Sequence, residues 1–473
     1  MKLSLKRFLS MSLAVLLLLS CVACGQNTED PESTTAGQDN APVTEGETQY
    51  DPMIETKNYE KEFYITGVYY IREWATAAEE DRGDPFMDTI YERGIKIQDH
   101  LGVELVDIDA GDWLAYSNNV IRTVQSGDDA YQLVSTHCYQ GVTAFLTSDA
   151  AYNYADFESV NLDAPYWALD FMEDVKIGDQ YLIGYNDFCL TSVNAIVFNK
   201  DIMAEYNLTA PYEDVRNKTW TLDKLISLAS NVAKDNGDGV WNEKDTYGIS
   251  GWGWVDTISF TTACDIKIVD RDETGLYQVA YENNSEKTFA ALEKVSELYN
   301  GDFAHYKGPN GTMIGFNDGT TMMYTMETRN MTNLRDVTFR FGVLPYPMYN
   351  EAQGQYKSLN WNGVMFVPAS IKDPDMVGDV LELLAFYTPP VQKAYYEDLL
   401  GSKLSDAPED AEMLDVIWDS QVCDIGLITG SSMLYMTPEL CAGDINTYSS
   451  YLKTRTKVAN KELNKIFNPK TRG

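Results

Sequence analysis

The stretch Thr191-Ser-Val-Asn-Ala-Ile-Val-Phe-Asn-Lys200, running on through Asp201-Ile-Met-Ala-Glu-Tyr-Asn-Leu208, constrains the fold more than any other part of the chain. Residues 193–198 form a short apolar run of the length of a buried strand. Asn199-Lys-Asp breaks it, and Ile202, Met203 and Tyr206 then recur at helical spacing. A buried strand delivered straight into an amphipathic helix belongs to an α/β protein. The composition on both sides predicts two α/β lobes, with this strand crossing between them and a ligand bound in the cleft beside it.

The rest of the chain fits that frame. Residues 62–70 read as a strand, residues 85–101 as a helix with Ile90, Ile95, Ile97 and Leu101 as its apolar positions, and 102–108 as the next strand. A helix over 113–125 and a third strand ending at Ser135 follow. This alternation indicates a parallel sheet, whose ligands sit outside the carboxyl ends of the strands. Those ends carry Glu73 and Trp74 after the first strand and His137, Tyr139 and Gln140 after the third. Further on, 220–230 reads as a helix capped by Thr221, and 247–254 as a strand ending in Trp252 and Trp254. On a strand, alternate spacing puts both indoles on one face, and the flanking glycines let a ligand approach the backbone. Residues 316–327 read as a turn and strand, 363–368 as a buried strand, and 374–387 as a helix stopped by Pro389-Pro390. Trp361, between Asn360 and Asn362, just precedes a strand and is a further binding candidate.

Composition narrows the function. The chain has 473 residues, enough for more than one domain. Its net charge of −36 becomes more negative once Lys2, Lys6 and Arg7 are removed with the leader. Such a surface has no basic patch to neutralise phosphates, which excludes nucleic acid as a partner. The 31 tyrosines and 9 tryptophans offer flat apolar faces with polar edges, suited to sugar rings. No HExxH, GxSxG, P-loop or GxGxxG pattern is present, and the three histidines have no metal-ligand spacing. The chain therefore reads as a binding protein rather than an enzyme, with a surface polysaccharide hydrolase as the alternative because carboxylate pairs meet in space and not in sequence.

The N-terminus carries a basic Met1-Lys-Leu-Ser-Leu-Lys-Arg7, an apolar segment over 8–19 too short to span a membrane, and Leu19-Ser-Cys-Val-Ala-Cys24-Gly. This resembles a bacterial lipoprotein signal, which implies cleavage after residue 23 and lipidation of Cys24, with Cys21 as a second candidate. The protein is then expected on the extracellular side of the cell membrane, held by lipid alone, with 24–57 as a flexible tether. Past the leader lie Cys138, Cys189, Cys264, Cys423 and Cys441, an odd number at wide spacing, read as buried free thiols with one disulfide left open.

The order of these pieces resembles the extracellular solute-binding proteins of bacterial ABC importers, the family of maltose-binding protein. The resemblance rests on Ala195-Ile-Val-Phe-Asn-Lys200, Asp245-Thr-Tyr-Gly-Ile-Ser250, Phe316-Asn-Asp-Gly-Thr-Thr-Met-Met323, and Phe341-Gly-Val-Leu-Pro-Tyr-Pro347 followed by Gly363-Val-Met-Phe-Val-Pro368. It implies a two-lobe, type II α/β fold with a hinge of crossing strands. The lobes are placed at 58–193 with 338–388, and at 194–337 with 389–473. It also implies a monomer that captures a carbohydrate, expected to be an oligosaccharide, and passes it to permease subunits. Sugar-binding relatives place a Trp after the strand that here ends in Met326-Glu-Thr-Arg-Asn-Met331. This chain has no aromatic there, and offers Glu327 and Arg329 as hydrogen-bonding groups instead. A peptide or charged small solute is the alternative ligand that pair suggests.

Residues 234–245 are similar to an EF-hand-like calcium loop. Asn236, Asp238, Asn242 and Asp245 take oxygen-ligand positions, and Lys234 stands at the first position, where Asp235 would have to substitute. A cation there would stabilise a turn rather than bind solute, and a plain polar turn is the competing reading. No other cofactor is expected.

Overall fold

The computed structural model describes residues 51–67, 75–79, 82–109, 111–112, 115–139, 141–185, 192–281, 285–306, 315–334, 336–361, 363–396, 408–429 and 432–467. The leader, Cys21, Cys24, the tether to residue 50, Glu73, Trp74, Gln140 and Cys189 lie outside them. Among the described residues no helix is long and apolar enough to cross a membrane.

Phe63 and Ile65 point inward from Lys61–Gly67 (β1), which pairs in parallel with Val103–Asp109 (β2) on one side and Leu133–His137 (β3) on the other. The helix Pro85–Leu101 connects β1 to β2. Asp84 caps it by accepting the Phe86 and Met87 N–H groups, and Gly102, at φ 63°, ends it in the left-handed conformation. Its Phe86, Ile90, Ile97 and Leu101 face the core. Every residue of β3 is buried, as a strand covered on both faces requires.

Asn194–Asn199 (β4), Tyr247–Ser250 (β5), Val269–Arg271 (β6), Tyr277–Val279 (β7), Ala304–His305 (β8), Thr321–Glu327 (β9) and Phe341–Leu344 (β10) follow in sequence. Ser358–Leu359 (β11), Gly363–Phe366 (β12) and Gln421–Val422 (β13) complete the described strands. The first sheet has the order β12-β3-β1-β2, with β12 antiparallel to β3. The second has the order β10-β4-β9-β5-β8. Here β4 runs antiparallel to both neighbours and β5 runs parallel to β9 and β8. Two α/β lobes are thus present, the first carrying three parallel strands and the second a mixed sheet.

Three sequence expectations shift. The strand from residue 194 lies inside the second sheet, and the passage between lobes falls at its entrance. There Val193 bridges Asn360, the Trp361 N–H donates to Ser192 O at 3.0 Å, and the Asn360 N–H donates to Val422 O at 3.0 Å. Segments 192–193, 358–361 and 420–422 therefore lie side by side. The lobe boundary at 338 also moves, because β10 pairs with β4 in the second sheet. Beyond it, Pro389–Ala394 packs on the first-lobe helix Pro85–Leu101. Finally, the polar stretch expected to be tether up to 57 is docked by its last residues. The Lys57 and Tyr59 N–H groups donate to His100 O and Leu101 O at 3.0 and 2.8 Å, and Lys57 Nζ meets Asp379 at 2.6 Å. Ile54 within that run and Tyr59 just beyond it pack against the core and hold it there. The described residues from 51 to 467 belong to one compact unit.

Candidate functional site

The carboxyl end of β3 delivers His137 and Tyr139. In the antiparallel register His137 stands opposite Gly363, so Trp361, two residues before β12, is carried to the same place. From the second lobe, the turn after β5 ends at Gly253, and the helix Trp254–Ala263 begins with Trp254 as its first residue. Residues Val255 to Ala263 are all buried, so the helix is fixed by packing and presents Trp254 from its tip. Tyr435 precedes the helix Met436–Ala442.

These rings touch. Tyr139 stacks on Trp361 at 5.2 Å between centroids with 30° between planes. His137 stands edge-on to Tyr139 at 4.3 Å and to Trp361 at 5.5 Å. Trp254 meets Trp361 at 5.9 Å and Tyr139 at 6.3 Å, both edge-on, and Tyr435 at 5.6 Å. The spacings are those of favourable aromatic pairs. The cluster is graded from core to solvent: Trp361 is 4% exposed, Tyr139 and Trp254 are half-buried, and Tyr435 is 48% exposed.

A polar group lies beside the rings. Glu327 ends β9, and its carboxylate accepts the Ser192 hydroxyl at 2.7 Å and Arg329 Nε at 2.7 Å. Asn360 donates to Tyr185 OH and to Gln421 Oε1. Burial pushes the His137 imidazole down to about 3, with the Arg329 charge adding to the effect, so it is neutral at physiological pH. Burial likewise pushes the Tyr139 hydroxyl up to about 12, and the Cys138, Tyr435 and Glu327 charges add to it. The arrangement can therefore stack on flat apolar faces and bond hydroxyls through Glu327, Arg329 and Asn360. Because Glu327 pairs with Arg329, the two together present hydrogen-bonding atoms with little net charge.

Of the expected site residues, His137, Tyr139, Trp254, Glu327, Arg329 and Trp361 come together. Trp252 is placed differently from the expectation. β5 stops at Ser250, and Gly253, at φ 84° and ψ −114°, turns the chain into the helix, so Trp252 and Trp254 do not share a strand face. Trp252 packs half-buried in that turn. Tyr435 joins the cluster without a distinguishing sequence signal, being one tyrosine among 31, in a loop before a short helix.

The 234–245 loop is cross-linked by its own backbone. Asp245 is 1% exposed, and its two oxygens accept the Asn236 N–H at 2.8 Å and the Asn242 N–H at 2.6 Å. Asp235 accepts the Gly237 and Gly239 N–H groups, Asn236 accepts Asp238 N–H, and Asp238 accepts Val240 N–H. Among the described residues no group of three or more His, Cys, Asp or Glu side chains is placed to hold a metal ion. Cys138, Cys264, Cys423 and Cys441 are free thiols.

No protein-family model matches the chain, and no curated protein matches it by sequence. Solved structures do. An ABC substrate-binding protein from Listeria monocytogenes in complex with cycloalternan aligns at a TM-score of 0.57 and 13% identity, over 86% of this chain and 98% of that one. UgpB from Mycobacterium tuberculosis in complex with glycerophosphocholine aligns at 0.57 and 15%, over 84% and 97%. A Thermus thermophilus maltotriose-binding protein bound with maltotriose aligns at 0.51 and 14%, over 85% and 99%. The likeness is one of fold: the chain has the two-lobe architecture of ABC-transporter solute-binding proteins.

Proposed function

We propose that the chain is an extracellular receptor that captures an oligosaccharide between its lobes and hands it to the permease of an ABC importer, tethered to the membrane by lipid on Cys24. One observation carries the reading: aromatic rings supplied by both lobes and by the crossing segment converge beside a hydrogen-bonding group of Glu327, Arg329 and Ser192. Aromatic faces stack on the apolar faces of sugar rings, and paired polar groups bond hydroxyls. The mutual pairing of Glu327 and Arg329 favours a neutral polyhydroxylated solute over a peptide or a charged one, since neither charge is left to be balanced by ligand. The fold neighbours that bind cycloalternan and maltotriose agree with that choice. Closure on the solute requires only that it bind the closed form better than the open one.

Thermal unfolding of the full chain in detergent, against mono- and oligosaccharides, peptides and organic acids, tests this. A solute at a hundred times its dissociation constant adds about 2.7 kcal/mol to native stability. We expect a raised midpoint with one class of oligosaccharide and no product in the supernatant. A shift with peptides or acids alone would overturn the solute class, and a released product would favour the hydrolase.

A further inference from the structure

We propose that Asp256, behind the aromatic cluster, is the positioning residue for Trp254, holding the turn from Gly251 to Gly253 so that the indole reaches Tyr139 and Trp361. This rests on the reading of the cluster as the solute site. Asp256 is the third residue of the helix that Trp254 begins, and it is 3% exposed. Its Oδ2 accepts the Gly253 N–H at 3.0 Å and its Oδ1 accepts Tyr346 OH at 3.0 Å. The Trp252 N–H and the Thr325 hydroxyl also stabilise its charged form. One carboxylate thus gathers the backbone of both residues before Trp254, a β9 side chain and the tyrosine beyond β10.

The turn has little freedom apart from these bonds. A Cβ on Gly251 would stand 1.7 Å from Thr325 Oγ1, 2.4 Å from Asp256 Oδ2 and 2.9 Å from the Tyr306 ring. Gly253 adopts a φ and ψ that residues with a side chain rarely tolerate. The chain is therefore laid directly on the carboxylate, and its course sets where the helix begins.

Tyr299, Tyr306, Tyr324 and Tyr346 face Asp256 from the neighbouring elements, and burial raises all four hydroxyls above their ordinary value, so they stay neutral at and below pH 8. Burial also pushes the Asp256 carboxyl up, to about 6. Protonation removes charge from the acceptor that the Trp252 and Gly253 N–H groups share, so the hold on Trp254 loosens as pH falls through that value.

The test is fluorine NMR of the full chain in detergent, labelled with 5-fluorotryptophan, with the Trp254 resonance identified by its loss in Trp254→Phe. No sugar enters the measurement, so a chain that bound no carbohydrate would still report the hold of Asp256 on Trp254. In the wild type the Trp254 resonance is expected to move with a midpoint near pH 6. In Asp256→Asn it is expected to stay fixed from pH 5 to 8, near the wild-type acid position. Tyr346→Phe, which removes one donor to the carboxylate, should raise the midpoint, and it serves if Asp256→Asn does not fold. A Trp254 resonance that is flat in the wild type, or that titrates alike in wild type and Asp256→Asn, would overturn the assignment.

Discussion

Glu327 and Arg329 sit two residues apart at the end of a buried strand, with side chains 9% and 18% exposed. Two partly dehydrated charges persist in such a place only as a pair, because each needs the other to offset its lost hydration. Removing Glu327 takes that carboxylate away from Arg329 and from the Ser192 hydroxyl. We therefore expect Glu327→Ala to lower the unfolding free energy by about 3 kcal/mol in urea titrations, with Glu327→Gln closer to wild type because it keeps an acceptor. A loss under about 1 kcal/mol in Glu327→Ala would show that water already screens the pair. The placement of His137 and Tyr139 in the cluster was legible in the sequence because they follow the carboxyl end of a parallel strand, that of Trp361 because it precedes a buried strand, and that of Glu327 and Arg329 only through the family resemblance. The placement of Trp254 was legible only in part. Its aromatic character and its flanking glycines were visible, but Gly253 adopts a backbone conformation that turns the strand into a helix, and a glycine in a sequence does not declare its φ. Tyr435 could not be found, because its contact with Trp254 joins residues 181 apart in the chain through packing that no local pattern encodes.

Elements are tied together by buried carboxylates that cap or bridge them. Asp424 caps the helix Ile425–Ile428 by accepting the Gly426 N–H, and it also accepts the N–H groups of Ile268 and Val269 at β6. Burial raises its carboxyl from 3.8 to about 6, against the pull of those three donors. The folded state binds the proton more tightly than the unfolded one, so this contribution to stability is fully present below pH 3.8 and is lost as pH rises through about 6. Its size is on the order of 3 kcal/mol. Asp424→Asn should therefore flatten the fall in unfolding free energy between pH 4 and 7 by roughly that amount, measured by urea titration at each pH. An unchanged slope would mean that Asp424 titrates as it does in the unfolded chain. At this scale the sequence announced the helix with its Thr221 cap, read at 220–230 and found at 222–232, and the strands β4, β9 and β12 well, since buried apolar runs and capping residues are local signals. It announced strand partners poorly. β10 joins the second sheet through β4, and nothing in Phe341-Gly-Val-Leu344 says which edge it will take.

Among the described residues the chain passes between its two larger sheets beside the aromatic cluster. Segments 192–193, 358–361 and 420–422 run together there, and Trp361 lies in the second of them. A change in lobe angle therefore acts on the same residues that frame the cluster, which is the geometry expected of hinge closure. Tyr139 from the first lobe and Trp254 from the second meet edge-on, so a solute stacked on either ring would be read by both lobes at once. On the proposed function this cluster takes one oligosaccharide and leaves it intact. Calorimetric titration of the full chain with the sugar that most raises the unfolding midpoint tests it directly, alongside Trp254→Ala and Trp361→Ala. We expect one sugar bound per chain, no change in the sugar recovered afterwards, and at least tenfold weaker binding in both variants with folding retained. Wild-type affinity in both variants, or a cleaved sugar, would contradict it.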